Sequence, residues 1–506
     1  MRFDNPILPG SHPDPSICRV GGDYYLATST FALFPGIALH HSRDLVHWRP
    51  IGAALDRAEQ LDLDGVRMTD GIYAPTLRFH DGLFHLICTV VGGNPGGNFV
   101  VTAVDPAGPW SAPVWIADAP GFDPSLFFDD DGKVWYCGTV ERDPADAPGR
   151  TTVWVQQIDR LTWQLLGERH QVWTGALLDA RWAEGPHLYR IHGRYYLLAA
   201  EGGTDYNHAV VVARADAVTG PYEGCPGNPV LSSRHLGRTA EVVGPGHADL
   251  VQTPDGDWWA VLLAARPSDG DWWGTSRETF LVPVAWEHGW PVFVPGAGRV
   301  PLTLDAPALP AQPWPLPAAR DDFDADELGP EWSMLRTPRS TWWSLTERPG
   351  WLRLQLRTQT LYDLSNPSTV LRRIQHGSWS ASMALDFTAA SAGCLAGLAV
   401  WVNDTDQLRL ESDGSEVRVV RREASADWVV AKFPVRPGPL VLGVEAHGRR
   451  LTARVGTLAG DWTDQVAMDI GFLGQQVNGY FFGLLVGPYA TGSEGVADVD
   501  WFEYTG

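Results

Sequence analysis

The stretch Gly10-Ser11-His12-Pro13-Asp14-Pro15-Ser16-Ile17 decides the fold, because related stretches recur along the chain. It places one carboxylate between two prolines, directly ahead of an apolar run. Proline fixes its own φ and restricts the residue before it, so we expect Asp14 to be extended at the entrance of a strand. A single Asp-Pro is an ordinary turn signal. The stretch is informative because the same pattern recurs at regular intervals along the chain.

Four further stretches have a small or polar residue near a proline, followed by apolar alternation, and successive starts are about 49 to 63 residues apart. Each is followed by a turn signal and then by an aromatic run, which is typical of a hairpin. Four strands in each interval make a propeller blade, so residues 1–300 are predicted to form a five-bladed β-propeller. The four stretches are Tyr73-Ala74-Pro75-Thr76-Leu77, Asp123-Pro124-Ser125-Leu126-Phe127, Glu184-Gly185-Pro186-His187-Leu188-Tyr189 and Gly244-Pro245-Gly246-His247-Ala248-Asp249-Leu250.

The recurring stretches have a geometric consequence for the acidic residues that they contain. If they occupy corresponding positions, they lie at the same end of the inner strands and converge on one mouth of the central channel. Asp14, Asp123 and Glu184 are then neighbours in space, although they are far apart in the sequence.

The pattern changes after about residue 300. Residues 301–319 are rich in proline, which predicts a semi-rigid linker. Residues 320–506 contain alternating apolar and polar runs at short spacing with no helical period, which favours a β-sandwich. The chain is therefore predicted to be all-β, with two domains.

Composition limits the classes of partner. The formal net charge is −22, which argues against nucleic acid and anionic membranes and is compatible with a neutral substrate. The five cysteines show no metal-binding spacing and predict reduced thiols. The sequence contains neither an apolar signal region near Met1 nor a long apolar run, so we expect a cytoplasmic protein. The sequence leaves the oligomeric state open, including a homo-oligomer.

Converging carboxylates are the usual catalytic groups of glycoside hydrolysis. One protonates the leaving oxygen, and the other activates water or attacks carbon. The acid needs a raised pKa, which burial or a neighbouring negative charge supplies. A third carboxylate can supply this neighbouring negative charge and so keep the acid protonated.

The sequence resembles glycoside hydrolase family 43, in the branch of β-xylosidases and α-L-arabinofuranosidases with a C-terminal β-sandwich. The resemblance covers nearly the whole chain, and its motifs occur in order at fitting separations. It implies that the sandwich is a concanavalin-like jelly roll. The motifs are Asn5-Pro-Ile-Leu8, His12-Pro-Asp-Pro-Ser16, Ala27-Thr-Ser-Thr-Phe31, Phe34-Pro-Gly36, His40-His-Ser-Arg-Asp-Leu45, Gly121-Phe-Asp-Pro-Ser-Leu126, Glu184-Gly-Pro-His187, Ala200-Glu-Gly-Gly-Thr204, Gly246-His247 and 274–278.

The resemblance also implies an inverting mechanism with assigned roles. Asp14 matches the general base, Glu184 the general acid, and Asp123 the carboxylate that modulates the acid. Arg277 matches an arginine that holds sugar hydroxyls. The substrate-binding residues that it implies are Phe31, Tyr73, Ala74, Thr204, His247, Arg277 and Phe481.

Three features of the match concern metal binding, specificity and an aromatic loop. No cofactor is expected, although in some relatives the histidine matching His247 lies near a divalent cation such as calcium, bound through water. Tyr73 stands where many β-xylosidases of the branch have tryptophan, which leaves the substrate preference open. The loop Gly479-Tyr-Phe-Phe-Gly483 resembles an aromatic loop that reaches the active site, and which of its aromatic residues contacts sugar is also open.

The sequence thus predicts an inverting exo-glycosidase that removes terminal β-D-xylosyl or α-L-arabinofuranosyl residues, or both, from short hemicellulose oligosaccharides. One alternative is an α-L-arabinofuranosidase without xylosidase activity. Another is a non-catalytic, lectin-like propeller, because a fold alone does not establish catalysis. A third is a retaining five-bladed enzyme of the fructan-cleaving kind, whose two carboxyl groups would stand closer together.

Overall fold

The computed structural model describes residues 2–142, 148–177, 179–479 and 481–506. Within these ranges, successive four- and five-stranded antiparallel sheets are followed by two larger sheets. The predicted all-β fold, a five-bladed propeller followed by a sandwich, is confirmed. The described helical segments are the 3-10 turn Gly471–Leu473 and helix α1, Gln475–Asn478.

The strands of the propeller region have short and regular bounds. They are β1 Arg2–Asp4, β2 Ser16–Val20, β3 Asp23–Thr28, β4 Leu33–Phe34, β5 Gly36–Ser42, β6 Arg49–Leu55, β7 Gly71–Ile72, β8 Thr76–His80, β9 Leu83–Val91, β10 Gly97–Ala103, β11 Val114–Trp115, β12 Phe122–Phe128, β13 Val134–Glu141, β14 Thr151–Ile158, β15 Leu165–Trp173, β16 Glu184–Ile191, β17 Arg194–Glu201, β18 Ala209–Ala215, β19 Glu223–Gly224, β20 Leu231–Ser232, β21 Val243–Gln252, β22 Trp258–Ala265, β23 Arg277–Glu287, β24 Trp290–Phe293 and β25 Thr303–Asp305.

These strands form the blades in chain order. Blade 1 contains β2, β3, β5 and β6; blade 2, β7 to β11; blade 3, β12 to β15; blade 4, β16 to β20; and blade 5, β21 to β24. The first long strands of the blades, β2, β8, β12, β16 and β21, contact one another in a ring around the axis. The predicted hairpins therefore place their starts around one channel.

The core of the propeller lies between neighbouring blades. Cys137 and Val155 of blade 3, for example, pack against Leu188 and Leu197 of blade 4. These side chains are almost fully buried. Burying one large aliphatic side chain contributes about 1.5–3 kcal/mol. Repetition of such contacts around the ring fixes the positions of the inner strands.

The sandwich is built from two sheets. One has the order β28-β29-β41-β32-β37-β38-β39 with β26 beside β41, and the other has the order β30-β40-β33-β34-β35-β36 with β31 beside β40. The strands are β26 Arg320–Asp321, β27 Met334–Leu335, β28 Trp343–Ser344, β29 Leu352–Gln355, β30 Ser368–Thr369, β31 Arg372–Arg373, β32 Ser378–Phe387, β33 Leu395–Trp401, β34 Gln407–Ser412, β35 Glu416–Glu423, β36 Ala426–Pro434, β37 Leu440–His447, β38 Arg450–Gly456, β39 Trp462–Asp469, β40 Leu485–Thr491 and β41 Val496–Thr505. Leu385 and Leu442 of the first sheet share one core with Leu398 and Leu410 of the second.

The proline-rich segment predicted as the linker, 301–319, lies along the propeller. Its β25 pairs with β1 in a separate two-stranded sheet, which ties this part of the segment to the start of the chain. Further on, the ring of Trp314 lies 4.0 Å from the guanidinium of Arg49 in blade 1. Strand β27 then pairs with β4 of the propeller, which joins the two domains directly.

No helix of the described residues is long and apolar enough to cross a membrane. All five cysteines are unpaired; four are buried, and Cys225 is half-buried.

Candidate active site

Asp14 turns sharply at the entrance of blade 1. Its φ is 56°, in the left-handed region, so the prediction that it is extended is wrong. Aspartate tolerates this conformation better than most residues because its short polar side chain can bond locally. Here, however, the carboxylate accepts its 2.6 Å hydrogen bond from the hydroxyl of Ser29, which directly follows strand β3. Such unfavourable backbone conformations are held by surrounding structure and cluster at functional sites.

Asp123 and Gly185 have the same backbone turn before their prolines. Their φ values are 50° and 57°, and each lies in a β-bulge at the start of its inner strand. Gly185, and not Glu184, is therefore the backbone equivalent of Asp14 and Asp123, which corrects the predicted register by one residue. A Cβ on Gly185 would lie 2.8 Å from Cε1 of His247, so only glycine fits there.

A cavity of about 460 Å³ lies where the inner strands begin, and all ten residues predicted from the sequence line it. They are Asp14, Phe31, Tyr73, Ala74, Asp123, Glu184, Thr204, His247, Arg277 and Phe481. The sequence reasoning missed five further lining residues, which are Val91, Phe122, Glu141, Trp182 and Gly203. The signal for Trp182 was available, since a large aromatic residue stands two positions before Glu184.

Asp14 is surrounded by groups that stabilise its charge. Its Oδ1 lies 2.9 Å from Nη1 of Arg277 and 3.8 Å from Nδ1 of His247. Burial alone would raise the pKa of Asp14, but these two residues and the hydroxyl of Ser29 outweigh it and hold that pKa below its ordinary value. Asp14 is therefore ionised at neutral pH, as a general base must be.

Glu184 has the opposite environment. Burial is the main cause that raises its pKa well above the ordinary value, and the negative charges of Asp123 and Asp14 raise it further. Burial likewise raises the pKa of Asp123 to about 6, although the Gly185 amide donates a 3.2 Å hydrogen bond to its carboxylate. Glu184 is thus protonated while Asp123 and Asp14 are ionised near pH 7, which is the arrangement of an acid opposite a base.

The sandwich closes one side of the cavity. Nη2 of Arg277 donates a 2.9 Å hydrogen bond to the backbone carbonyl of Phe481, and Leu484 donates its amide to the carbonyl of Gly274 at 3.0 Å. Phe481 lines the cavity, whereas Phe482 is fully buried. Tyr480, the third aromatic residue of this predicted loop, lies outside the described residues.

Aromatic rings form two walls of the cavity. Phe31, Tyr73 and Phe481 make one wall, with ring centroids 5.8 to 6.4 Å apart. The Tyr73 hydroxyl donates to the carbonyl of Thr69 at 2.8 Å, so its polar end has a protein partner. Trp182 and Phe122, with centroids 6.5 Å apart, make the second wall. Flat apolar surfaces of this kind suit the faces of sugar rings.

Two backbone features fix Trp182. Its amide donates a 2.7 Å hydrogen bond to the carbonyl of Gly149. A Cβ on Gly149 or on Gly203 would lie 2.8 or 2.9 Å from the indole ring, so both positions leave room for it. The ring is therefore closely packed at both glycines, and it lines the same cavity as Glu184.

The residues around His247 do not form a direct metal site. Among the described residues, no three His, Cys, Asp or Glu side chains are grouped as metal ligands. Two residues along the strand from His247, Asp249 instead accepts 2.8 and 3.2 Å hydrogen bonds from the guanidinium of Arg78. Arg78 also lies 3.0 Å from Nδ1 of His187. The carboxylate of Asp249, two residues from His247, is thus already paired with a cation of the protein.

Comparisons with known proteins agree with this geometry. The model of "Glycosyl hydrolases family 43" matches residues 3–291, and the "Beta xylosidase C-terminal Concanavalin A-like domain" matches residues 320–505. The chain is 39% identical to a xylosidase/arabinosidase of Butyrivibrio fibrisolvens, over 99% of this chain and 98% of that protein. It is 40% identical to a non-reducing end α-L-arabinofuranosidase of Bacteroides ovatus, over 99% and 94%. The chain also aligns with the crystal structure of a xylan β-1,4-xylosidase from Bacillus halodurans. The alignment covers 100% of each chain, with a TM-score of 0.93 and 34% identity. The chain belongs to glycoside hydrolase family 43 and is a glycoside hydrolase.

Proposed function

We propose that the chain is an inverting exo-glycosidase that releases terminal β-D-xylosyl or α-L-arabinofuranosyl residues, or both, from short neutral oligosaccharides. The observation that carries the proposal is the set of three buried carboxylates, Asp14, Asp123 and Glu184, in one cavity with Arg277. Their pKa values are shifted in the directions that an acid and a base need. The named activities of the similar proteins support the same substrate class.

Each carboxylate has one role in the proposed reaction. Glu184 gives its proton to the glycosidic oxygen, and Asp14 takes a proton from a water that attacks the anomeric carbon from the opposite face. Arg277 holds Asp14 and binds the sugar hydroxyls. Asp123 keeps Glu184 protonated between turnovers. The rings of Phe31 and Phe481 form the walls around the terminal sugar. Trp182 lies beside the leaving group.

Side-by-side kinetics on p-nitrophenyl β-D-xyloside, p-nitrophenyl α-L-arabinofuranoside and xylobiose test the proposal. We expect hydrolysis of at least one aryl glycoside, and the ratio of kcat/KM values identifies the preferred sugar. Xylotriose labelled at its reducing end should lose its unlabelled end first if attack is exo. Sugar binding without release from any substrate would favour the lectin-like alternative.

Replacing Asp123 with asparagine should move the alkaline limb of the pH–kcat/KM profile to lower pH. Glu184 must be protonated to act, and the charge of Asp123 is one cause of its raised pKa. Removing that charge lowers the pKa of Glu184, so the proton is lost earlier as pH rises.

The limb belongs to the coupled carboxylates, so the measured quantity is an apparent pKa. Asp131→Asn is the matched control, since Asp131 lies in the hairpin turn of the same blade and pairs with Lys133. An alkaline limb that stays in place, or that moves upward, in Asp123→Asn contradicts the assigned role.

We also propose that hydrolysis needs no metal. The proton transfers use protein carboxylates alone, and Arg78 pairs with Asp249 on the axis below them. Prolonged dialysis against EDTA should therefore leave kcat and KM unchanged. Loss of activity that returns on adding calcium would contradict this proposal.

A further inference from the structure

A second cavity, of about 310 Å³, lies behind the segment that carries the general base. Its walls come from the propeller, the linker and the sandwich, including Pro9, Trp314 and Pro330. Its volume is about ten times the roughly 30 Å³ that one water takes up in the liquid. It can therefore hold a small solute together with water.

Arg373 contributes an unpaired positive charge to this cavity. Its Nε donates a 2.8 Å hydrogen bond to the carbonyl of Ser11, and its guanidinium lies 5.4 Å from the Phe482 ring. Within the described part of the chain, no carboxylate pairs with it, and burial lowers its pKa to about 10. Arg373 is half-buried, and withdrawing its charge even partly from water without a counterion costs free energy unless something else compensates it.

Two histidines of the cavity can each add one hydrogen-bond donor. His12 and His40 are buried with ring centroids 5.0 Å apart, and burial is the main cause that lowers the pKa of each. Both rings are thus neutral, and Nδ1 of each is enclosed without a hydrogen-bond partner among the described residues. Because Nδ1 is enclosed, Nε2 is the ring nitrogen left to meet a ligand in the cavity, and we take Nε2 of each ring as the donor.

The positive charges of the cavity wall outnumber its negative charges. Arg372 is buried and stacks over Tyr504 at 4.8 Å, without a carboxylate within ion-pair distance among the described residues. Glu331 is the acidic residue of the lining, and His47, also at the wall, is bonded to Asp44. Two arginines therefore face one carboxylate, in a protein whose net charge is −22.

We propose that this cavity is a binding site for a small oxyanion, held by the guanidinium of Arg373 and by donors of His12 and His40. Phosphate and a sugar carboxylate such as that of glucuronate share the required chemistry, which is several acceptor oxygens around a negative charge. The site is separate from the catalytic cavity, because none of these residues lines both.

The proposed site is connected to the general base through short contacts. Arg373 holds the carbonyl of Ser11, and the amide of His12 donates to the carbonyl of Arg277 at 3.1 Å. Asp14 follows two residues later and pairs with Arg277. An anion that orders Arg373 therefore also orders the segment that carries the base.

Binding is tested on the whole protein by calorimetry and by thermal unfolding at constant ionic strength. Millimolar sodium phosphate and sodium glucuronate are compared with sodium chloride, and Arg373→Met and Arg194→Met are compared with the unmodified chain. We expect saturable binding of at least one oxyanion. Because a charge-assisted hydrogen bond is lost, Arg373→Met should weaken it by roughly 10- to 150-fold. Arg194→Met should leave it unchanged, since Arg194 is exposed in an ion pair with Asp216 in blade 4.

Which oxyanion binds distinguishes an inorganic ligand from an acidic sugar. Phosphate also stabilises many proteins by exclusion from their surface, so a shift that does not saturate, or that persists in Arg373→Met, overturns the proposal. Absence of binding by either oxyanion overturns it as well. If Arg373→Met does not fold, His40→Phe replaces it with the same expectation, because His40 donates into the same cavity and lies outside the catalytic one.

Discussion

Replacing Glu184 with glutamine should lower kcat for xylobiose by roughly 10²- to 10⁴-fold, because the leaving sugar then departs without a proton. Glutamine keeps the size and the hydrogen-bonding capacity of the side chain but cannot transfer a proton. Glu184 is buried and has a raised pKa, so it is the carboxyl group that carries a proton at neutral pH.

The leaving group provides a sharper test of this role. p-Nitrophenolate is stable without protonation, so p-nitrophenyl β-D-xyloside should lose much less activity than xylobiose in Glu184→Gln. The alkaline limb of the pH profile should also disappear. Glu223→Gln is the matched control, since Glu223 belongs to the same blade and is exposed, in an ion pair with Arg214. Equal losses on both substrates would assign the acid to another group.

Replacing Asp14 with asparagine should lower kcat by a similar factor, roughly 10²- to 10⁴-fold, on xylobiose and the aryl glycoside alike. Activation of water is needed whatever the leaving group is, so the two substrates should not differ. This distinguishes the base from the acid. The variants are compared by initial rates at the pH optimum.

The Asp14 variant needs a control for folding, because Asp14 and Arg277 are a buried ion pair. Removing one partner of such a pair costs about 3–5 kcal/mol of stability. Asparagine keeps one acceptor oxygen for Arg277, and its NH2 group can donate to the Ser29 hydroxyl, so the unfolding transition should remain cooperative. Asp23→Asn, in the same blade and paired with His41 and Arg43, should keep near-full activity. A folded Asp14→Asn with near-normal turnover would refute the assignment.

The propeller was predictable from the sequence because each blade begins with a recognisable local sequence pattern. A proline start, a tight turn and an aromatic run recur, and strand β17, Arg194–Glu201, follows the predicted turn at His192-Gly193. The convergence of the three carboxylates on one cavity was predictable for the same reason, since they lie in these starts. Because the blades repeat in the sequence and pack in a ring, their starts are brought together at one end of the channel.

The features that the sequence did not reveal depend on distant parts of the chain. The left-handed turn at Asp14 is held by Ser29 and Arg277, and the glycine at position 185 is required by the ring of His247. The pairing of Arg78 with Asp249 joins two blades across the axis. The sequence near each of these residues does not indicate which distant residue it contacts.

The stereochemistry of hydrolysis tests the central claim most directly, because it depends on where Asp14 and Glu184 stand relative to the sugar. Proton NMR of the first product formed from p-nitrophenyl β-D-xyloside, recorded before mutarotation, reports the anomer. If this aryl glycoside is a substrate, the account predicts α-xylose as the first anomer. For p-nitrophenyl α-L-arabinofuranoside it predicts β-arabinose. An initial product with the configuration of the substrate would contradict an acid at Glu184 acting opposite a base at Asp14.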